Sequence, residues 1–228
     1  MAAQKFTRKD LKHDSFVSGT EQALEFLQKH ATVVGGALVV IVVLLVGWSY
    51  VSKGKAASQA EASFMLYQGQ MYVGEGDFDM AMVPLRDCIE QHGDSDYGRY
   101  ARVSMVQAML GDGDAEGALQ NIDQYLGEIP AGHVAHDDLL LLRAYALADA
   151  GRYGDAADAM AGLISGDLAD GVYYDRTVRR AEWLRLAGRG AEAVTALEAL
   201  KADAAAGKLE VAAADLDRRL DVARATAR

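Results

Sequence analysis

The chain has 228 residues, 51% of them hydrophobic, which allows one packed domain of ordinary size plus a separate short element. Its formal net charge of −10 is unevenly placed: residues 1–51 hold five cations and four anions, a net of +1, and the rest holds 18 cations and 29 anions, a net of −11. So acidic a remainder repels phosphate backbones and excludes nucleic acid as an expected partner, and Cys88, standing alone, excludes an internal disulfide.

In chain order the first element is an arm over residues 1–30. Phe16, Ala23, Leu24 and Leu27 recur there at near-helical spacing beside Lys29. That pattern fits either an amphipathic helix on a membrane surface or an early start to the next helix. From Ala31 to Val51 the sequence reads ATVVGGALVVIVVLLVGWSYV without a charged residue. At about 1.5 Å per residue such a run crosses a hydrocarbon layer of about 30 Å. Trp48 and Tyr50 close it with side chains suited to the membrane interface. A cleavable signal would want a shorter apolar stretch nearer the start, so a retained transmembrane helix over 31–51 is expected ahead of a signal peptide or a core helix. Five cations precede the run, whereas only Lys53 and Lys55 follow it closely. The N-terminus is therefore expected in the cytoplasm and the acidic part across the membrane. Gly35, Gly36 and Gly47 would let another helix approach, although no G-x-x-x-G is present.

Residues 52–206 contain a repeat. Gly76-Asp77-Phe78-Asp79-Met80-Ala81 is echoed by Gly113-Asp114-Ala115-Glu116-Gly117-Ala118, Gly151-Arg152-Tyr153-Gly154-Asp155-Ala156 and Gly188-Arg189-Gly190-Ala191-Glu192-Ala193, with the final alanines 37, 38 and 37 residues apart. Each unit reads as a helix ended by a glycine able to adopt the left-handed conformation, a short polar turn, and a second helix with an acidic residue near its start. The alanine allows the two helices to lie close. Behind it stand apolar pairs at helical spacing: Leu85 and Cys88, Ile122 and Tyr125, Met160 and Leu163, Leu197 and Leu200. Residues 207–228, GKLEVAAADLDRRLDVARATAR, read as a helix that caps the last pair. No stretch alternates as strands do, so the fold class is all-α: an N-terminal transmembrane helix, an α-solenoid of about four helix pairs, and a C-terminal capping helix.

Signals for chemistry are sparse. His133-Val134-Ala135-His136-Asp137 places two imidazoles at a helical interval, in what reads as a linker between the second and third units; it lacks a further ligand, so no metal is expected. Cys88 sits where the repeat buries a small side chain, and Arg86 is its only nearby cation, so a structural thiol is expected. Asp137-Asp138 and Asp94-Ser95-Asp96 read as solvating acids in connections. Phosphate-cradling loops, nucleophile elbows and paired-cysteine motifs are missing from the sequence, so neither an enzyme nor a cofactor nor a small-molecule substrate is expected. A helical array offers instead a concave surface lined by the first helix of each pair. The register assigns to that groove Leu66, Gln70 and Val73; Tyr100, Val103 and Gln107; Asp138, Leu141 and Tyr145; and Val178, Glu182 and Arg185. Such a mixture suits an extended peptide or a partner's helix.

The unit resembles the tetratricopeptide repeat, most closely in its first copy, where Gly69, Tyr72, Gly76 and Ala81 stand at that family's spacings. Pro130 also fits, at the close of the second unit. Later units replace the small and aromatic pair by Ala144 with Leu147 and by Ala181 with Leu184. The period exceeds the usual value of about 34, which implies extended connections between units. With the Arg8-Lys9-Asp10-Leu11-Lys12 and Phe16 arm, the short cytoplasmic segment, one span and an exported repeat domain, the whole chain resembles the YfgM family of ancillary Sec translocon subunits. That resemblance implies an inner-membrane, single-pass protein with periplasmic repeats. Its partners would be translocon subunits, periplasmic folding factors and the chains emerging between them, and no catalytic residues carry over. An accessory structural subunit of another membrane complex is the alternative.

Overall fold

In the computed structural model, which describes residues 29–164, 169–207 and 213–227, every regular element is α-helical. The helices are α1 (Ala31–Glu75), α2 (Phe78–His92), α3 (Asp96–Gly111), α4 (Ala115–Glu128), α5 (Val134–Asp149), α6 (Tyr153–Ala161), α7 (Asp170–Leu186), α8 (Gly190–Ala205) and α9 (Ala213–Thr226). The arm over residues 1–28, with its expected amphipathic helix, lies outside the described residues.

The chain divides at Ala57 into two units. The described part of the first is the N-terminal portion of α1, whose valines, leucines and isoleucine from Leu38 to Val46 are exposed. By length and composition α1 is the one described helix able to cross a membrane. Sequence alone leaves open whether helix persists through Lys53-Gly54-Lys55, and all three residues are helical.

The second unit, from Ser58 onward, is a series of antiparallel helix pairs in which each helix packs on its neighbours in sequence. Two apolar clusters fill it. Ala62, Leu66, Ala81, Leu85, Cys88, Ala101, Met105 and Ala108 form the first. The second runs from Val103 to Ala223, and Ile89, Tyr100 and Met109 pack against both.

The four turns within the pairs share one hydrogen-bond scheme. Gly76, Gly113, Gly151 and Gly188 have φ of 78°, 86°, 75° and 75°, in the left-handed region that costs glycine nothing. Each glycine N–H donates three residues back, as Gly76 does to the Val73 carbonyl at 3.1 Å, and the next residue donates five back, as Asp77 does to Tyr72 at 2.9 Å. This Schellman closure satisfies carbonyls that the helix end would otherwise leave open. The residue after the glycine then caps the following helix. Asp77 accepts from the Met80 N–H at 3.3 Å, and Asp114 accepts from Gly117 at 2.9 Å. Arg152 and Arg189 occupy the same place without a side-chain cap and bind an acid three residues on, Asp155 and Glu192 respectively.

The four alanines behind these turns, Ala81, Ala118, Ala156 and Ala193, are fully buried, as the close approach of paired helices requires. In the first pair the approach is tightest at Gly69, where an added Cβ would overlap the Leu85 side chain. Ala144, Leu147, Ala181 and Leu184 are likewise buried, so small-plus-aliphatic packs where the first unit has small-plus-aromatic. In α9, Leu216, Leu220 and Ala223 are buried in the same cluster as Leu197 and Leu200.

Three expectations are corrected. His133 to Asp137 is not a linker: α5 begins at Val134, with His133 as its N-cap accepting the Ala135 N–H at Nδ1 over 3.1 Å. Asp137 thereby joins the first turn of α5, where a negative charge suits the helix dipole. Ser95 and Asp96 similarly open α3, the Ser95 hydroxyl accepting from Gly98 at 3.1 Å and donating to the His92 carbonyl at 2.6 Å. Nor are all connections between pairs extended. Only residues 93–95 join α2 to α3, so the long period is taken up there by helices of 15 and 16 residues.

Candidate functional site

The expected groove residues divide by burial. Leu66 is 8% exposed and Val103 6%, so both belong to the core and not to an open surface. Both lie on the flank of a helix that already faces its partner, and a shift of one position moves a residue about 100° around the axis. Gln70 is exposed, and its Nε2 donates to the Ser104 hydroxyl at 3.2 Å, tying α1 to α3. Val73 packs partly against the first cluster. Tyr100 is half-buried, its ring 5.9 Å from that of His133, and Gln107 is exposed. Asp138 and Leu141 are half-buried on α5.

Toward the C-terminus the structure does bring groove residues together. Tyr145 of α5 and Val178 and Glu182 of α7 line a depression of about 410 Å³ with Tyr174, Asp175, Arg179 and Arg219. Beside it lies a second of about 290 Å³, where Val178, Glu182 and Arg185 face Asp215, Arg218, Val222 and Ala223 of α9. The Tyr145 ring stands edge-on to Trp183, centroids 5.5 Å apart, which fixes its orientation at the rim. The α9 contribution escapes a sequence reading that treats this helix only as a cover, although its interspersed Asp215, Arg218 and Arg219 are visible in the sequence.

The cleft's polar groups are arranged around Asp215. Tyr174 Oη donates to its Oδ2 at 2.7 Å, and Arg219 Nε donates to the same oxygen at 2.7 Å. The Arg219 bond, then the Tyr174 bond, holds the Asp215 carboxyl below the usual carboxylate range. Burial, reinforced by Asp215, pushes the Tyr174 phenol up. Arg179 pairs with Glu182 at 3.5 Å. Arg185 and Arg218 form no ion pair among the described residues and so leave two cations open to a ligand's acceptors. The cleft can hold an extended chain by apolar contact and hydrogen bonding.

His133 and Cys88 have partners within the fold. With Nδ1 of His133 accepting a backbone N–H, its Nε2 is the donor toward Asp96 Oδ1 at 3.3 Å, so both nitrogens are engaged. Among the described residues no group of three or more histidines, cysteines or acids is placed to hold a metal. Cys88 is fully buried, its Sγ 3.5 Å from the Ala62 carbonyl, and burial pushes its thiol up, away from the reactive thiolate.

Over residues 25–163 the sequence matches the model of the tetratricopeptide repeat-like domain. The chain belongs to that family. Two crystal structures of nearly identical TPR-like repeats, from a kinesin light chain-like protein of Podosopora anserina, share its fold. The first aligns at 14% identity over 72% of this chain and 85% of that one with a TM-score of 0.62, and a single-residue variant of the same protein gives 0.61 over the same shares. No curated protein matches the sequence. Tetratricopeptide-like solenoids present extended concave surfaces to other proteins, and a protein-interaction scaffold is the role this fold points to.

Proposed function

We propose that the chain is a membrane-anchored scaffold and an ancillary subunit of the Sec translocon, linking emerging exported chains to periplasmic folding factors. In this reading residues 31–51 of α1 span the cytoplasmic membrane once, the N-terminus is cytoplasmic and the repeats are periplasmic. The observation that carries it is the pairing of an exposed apolar helix segment with a tetratricopeptide-like array whose C-terminal cleft is open and lined by Tyr145, Val178 and Glu182. The YfgM-like layout of arm, span and repeats supports the choice of translocon. Binding, not catalysis, is the activity assigned.

Photo-crosslinkers placed at Tyr145 and at Tyr100 in native membranes test it. Recovery of translocon subunits or nascent exported chains from Tyr145 is the expected result. A single unrelated protein captured in stoichiometric yield would replace this reading with that of an accessory subunit in another membrane complex.

A further inference from the structure

Along α1, Ala60, Phe64, Tyr67, Met71 and Gly74 follow one another at intervals of four, three, four and three residues, the spacing of a coiled-coil seam. Phe64 is 64% exposed, Tyr67 66% and Met71 38%. The opposite face of the helix, with Ala62, Leu66 and Gly69, is already buried against α2.

The repeat register shows what this face is for. One unit later the same positions are Ala101, Ser104 and Ala108, exposed by 0%, 1% and 0%, and the two alanines lie in the cluster that holds Leu85 and Cys88 of the preceding pair. Phe64, Tyr67 and Met71 thus occupy the face on which a preceding helix pair would pack, at the end of the array where no such pair stands among the described residues. A terminal repeat that ends in water needs a polar outer face. This one carries two aromatic rings and a thioether, the side chains enriched at interfaces.

We propose that a second copy of this chain covers the stripe, the two α1 helices pairing in parallel from Ala60 to Gly74. The coiled-coil spacing points to a helix of the same kind, and charge confines the contact to this stripe. Between Ala56 and Gly74 the only charged residue is Glu61, in a chain where 25% of residues are charged and the part beyond residue 51 has a net of −11. Two domains so acidic repel each other across most of their surfaces, and the neutral seam is self-complementary. Parallel pairing about a twofold axis sets each stripe residue against its own counterpart, with Ala60 and Gly74 permitting close approach at the ends. The seam spans only about 21 Å. Confinement to one membrane raises the effective concentration enough for so short a contact to be occupied. The parallel direction rests on the anchoring proposed above, since both copies then rise from the same membrane.

The test uses the full chain in its native membranes. Tyr67→Cys, oxidised with copper phenanthroline, is expected to give a covalent homodimer. The parent chain, whose Cys88 is buried, and Glu90→Cys on the exposed side of α2 should give at least about tenfold less. Adding Phe64→Glu to the Tyr67→Cys chain, or Met71→Glu should the first variant be depleted, should cut the dimer at least about tenfold while thermal unfolding is unchanged. Equal crosslinking at Tyr67→Cys and Glu90→Cys overturns the proposal, as does an adduct to a different protein or indifference to both glutamates. Failure of the anchoring reading would register separately, as loss of the chain from the membrane fraction.

Discussion

Gly69 and Gly127 are both helical glycines, and their surroundings give them opposite roles. A Cβ on Gly69 would strike Leu85 in the first pair, whereas one on Gly127 meets nothing within 4 Å. Gly69→Ala is therefore expected to destabilise the domain by about 1–3 kcal/mol through overpacking. Gly127→Ala should stabilise it by about 0.4–1 kcal/mol, because the unfolded chain loses more freedom than the folded one. Urea midpoints of the two variants check both signs, and a stabilised Gly69→Ala would contradict the packing described. Gly69 is legible in the sequence because it recurs as a small residue in later units, Ala144 and Ala181. Leu66 and Val103 are misread as groove residues for a related reason: the repeat fixes which helix they lie on, but a small rotation separates the groove flank from the core.

Among the helices, the turn residue after each glycine decides how the second helix starts. Asp114 accepts the Gly117 N–H, while Arg152 has no cap bond and pairs with Asp155 at the surface. Asp114→Ala should cost about 1 kcal/mol, and Arg152→Ala at most about 0.5 kcal/mol, as for exposed ion pairs. Thermal unfolding of the two variants compares them directly. Acidic partners elsewhere set the pH response. Hydrogen bonds hold Asp215 below the usual carboxylate range through Arg219, Glu128 through Gln124 and Arg102, and Asp96 through His133 and Arg99. A carboxylate depressed in the folded state stabilises it above its unfolded pKa, and this stabilisation fades as pH falls through the folded value. The urea midpoint should stay level from pH 7 to about 5 and decline below about 4, near the ordinary carboxylate range. A fall between pH 8 and 6 would show that other groups govern stability. The start of α5 at Val134 is hidden from a sequence reading because His133 is an uncommon N-cap, and its imidazole nitrogen takes the place of the usual side-chain oxygen.

For the whole molecule, the stacking of pairs is the property most open to test. Ala118 and Ala156 are fully buried where paired helices meet, so Ala118→Phe or Ala156→Phe should drive the pair apart at a cost of about 1–3 kcal/mol. An unchanged unfolding midpoint would refute the repeat register. The proposed topology predicts that an enzymatic reporter fused after Arg228 is active only outside the cytoplasm, and cytoplasmic activity would reverse it. The array is readable from sequence because its signals recur every 37 or 38 residues and reinforce one another. Its C-terminal cleft is only half readable. Tyr145, Val178, Glu182 and Arg185 follow from the register, but Asp215, Arg218 and Arg219 arrive from a helix outside the repeat, and nothing periodic announces their direction.

The turns at Gly76, Gly113, Gly151 and Gly188 let one residue close a helix while its neighbour opens the next, leaving no slack between. Lengthening the chain by a single residue there would swing the following helix about 100° and present the wrong flank to its partner. The join at 129–133 carries no such double duty. Natural insertions, affinity tags and protease sites should therefore be tolerated at 129–133 and rejected within the pairs.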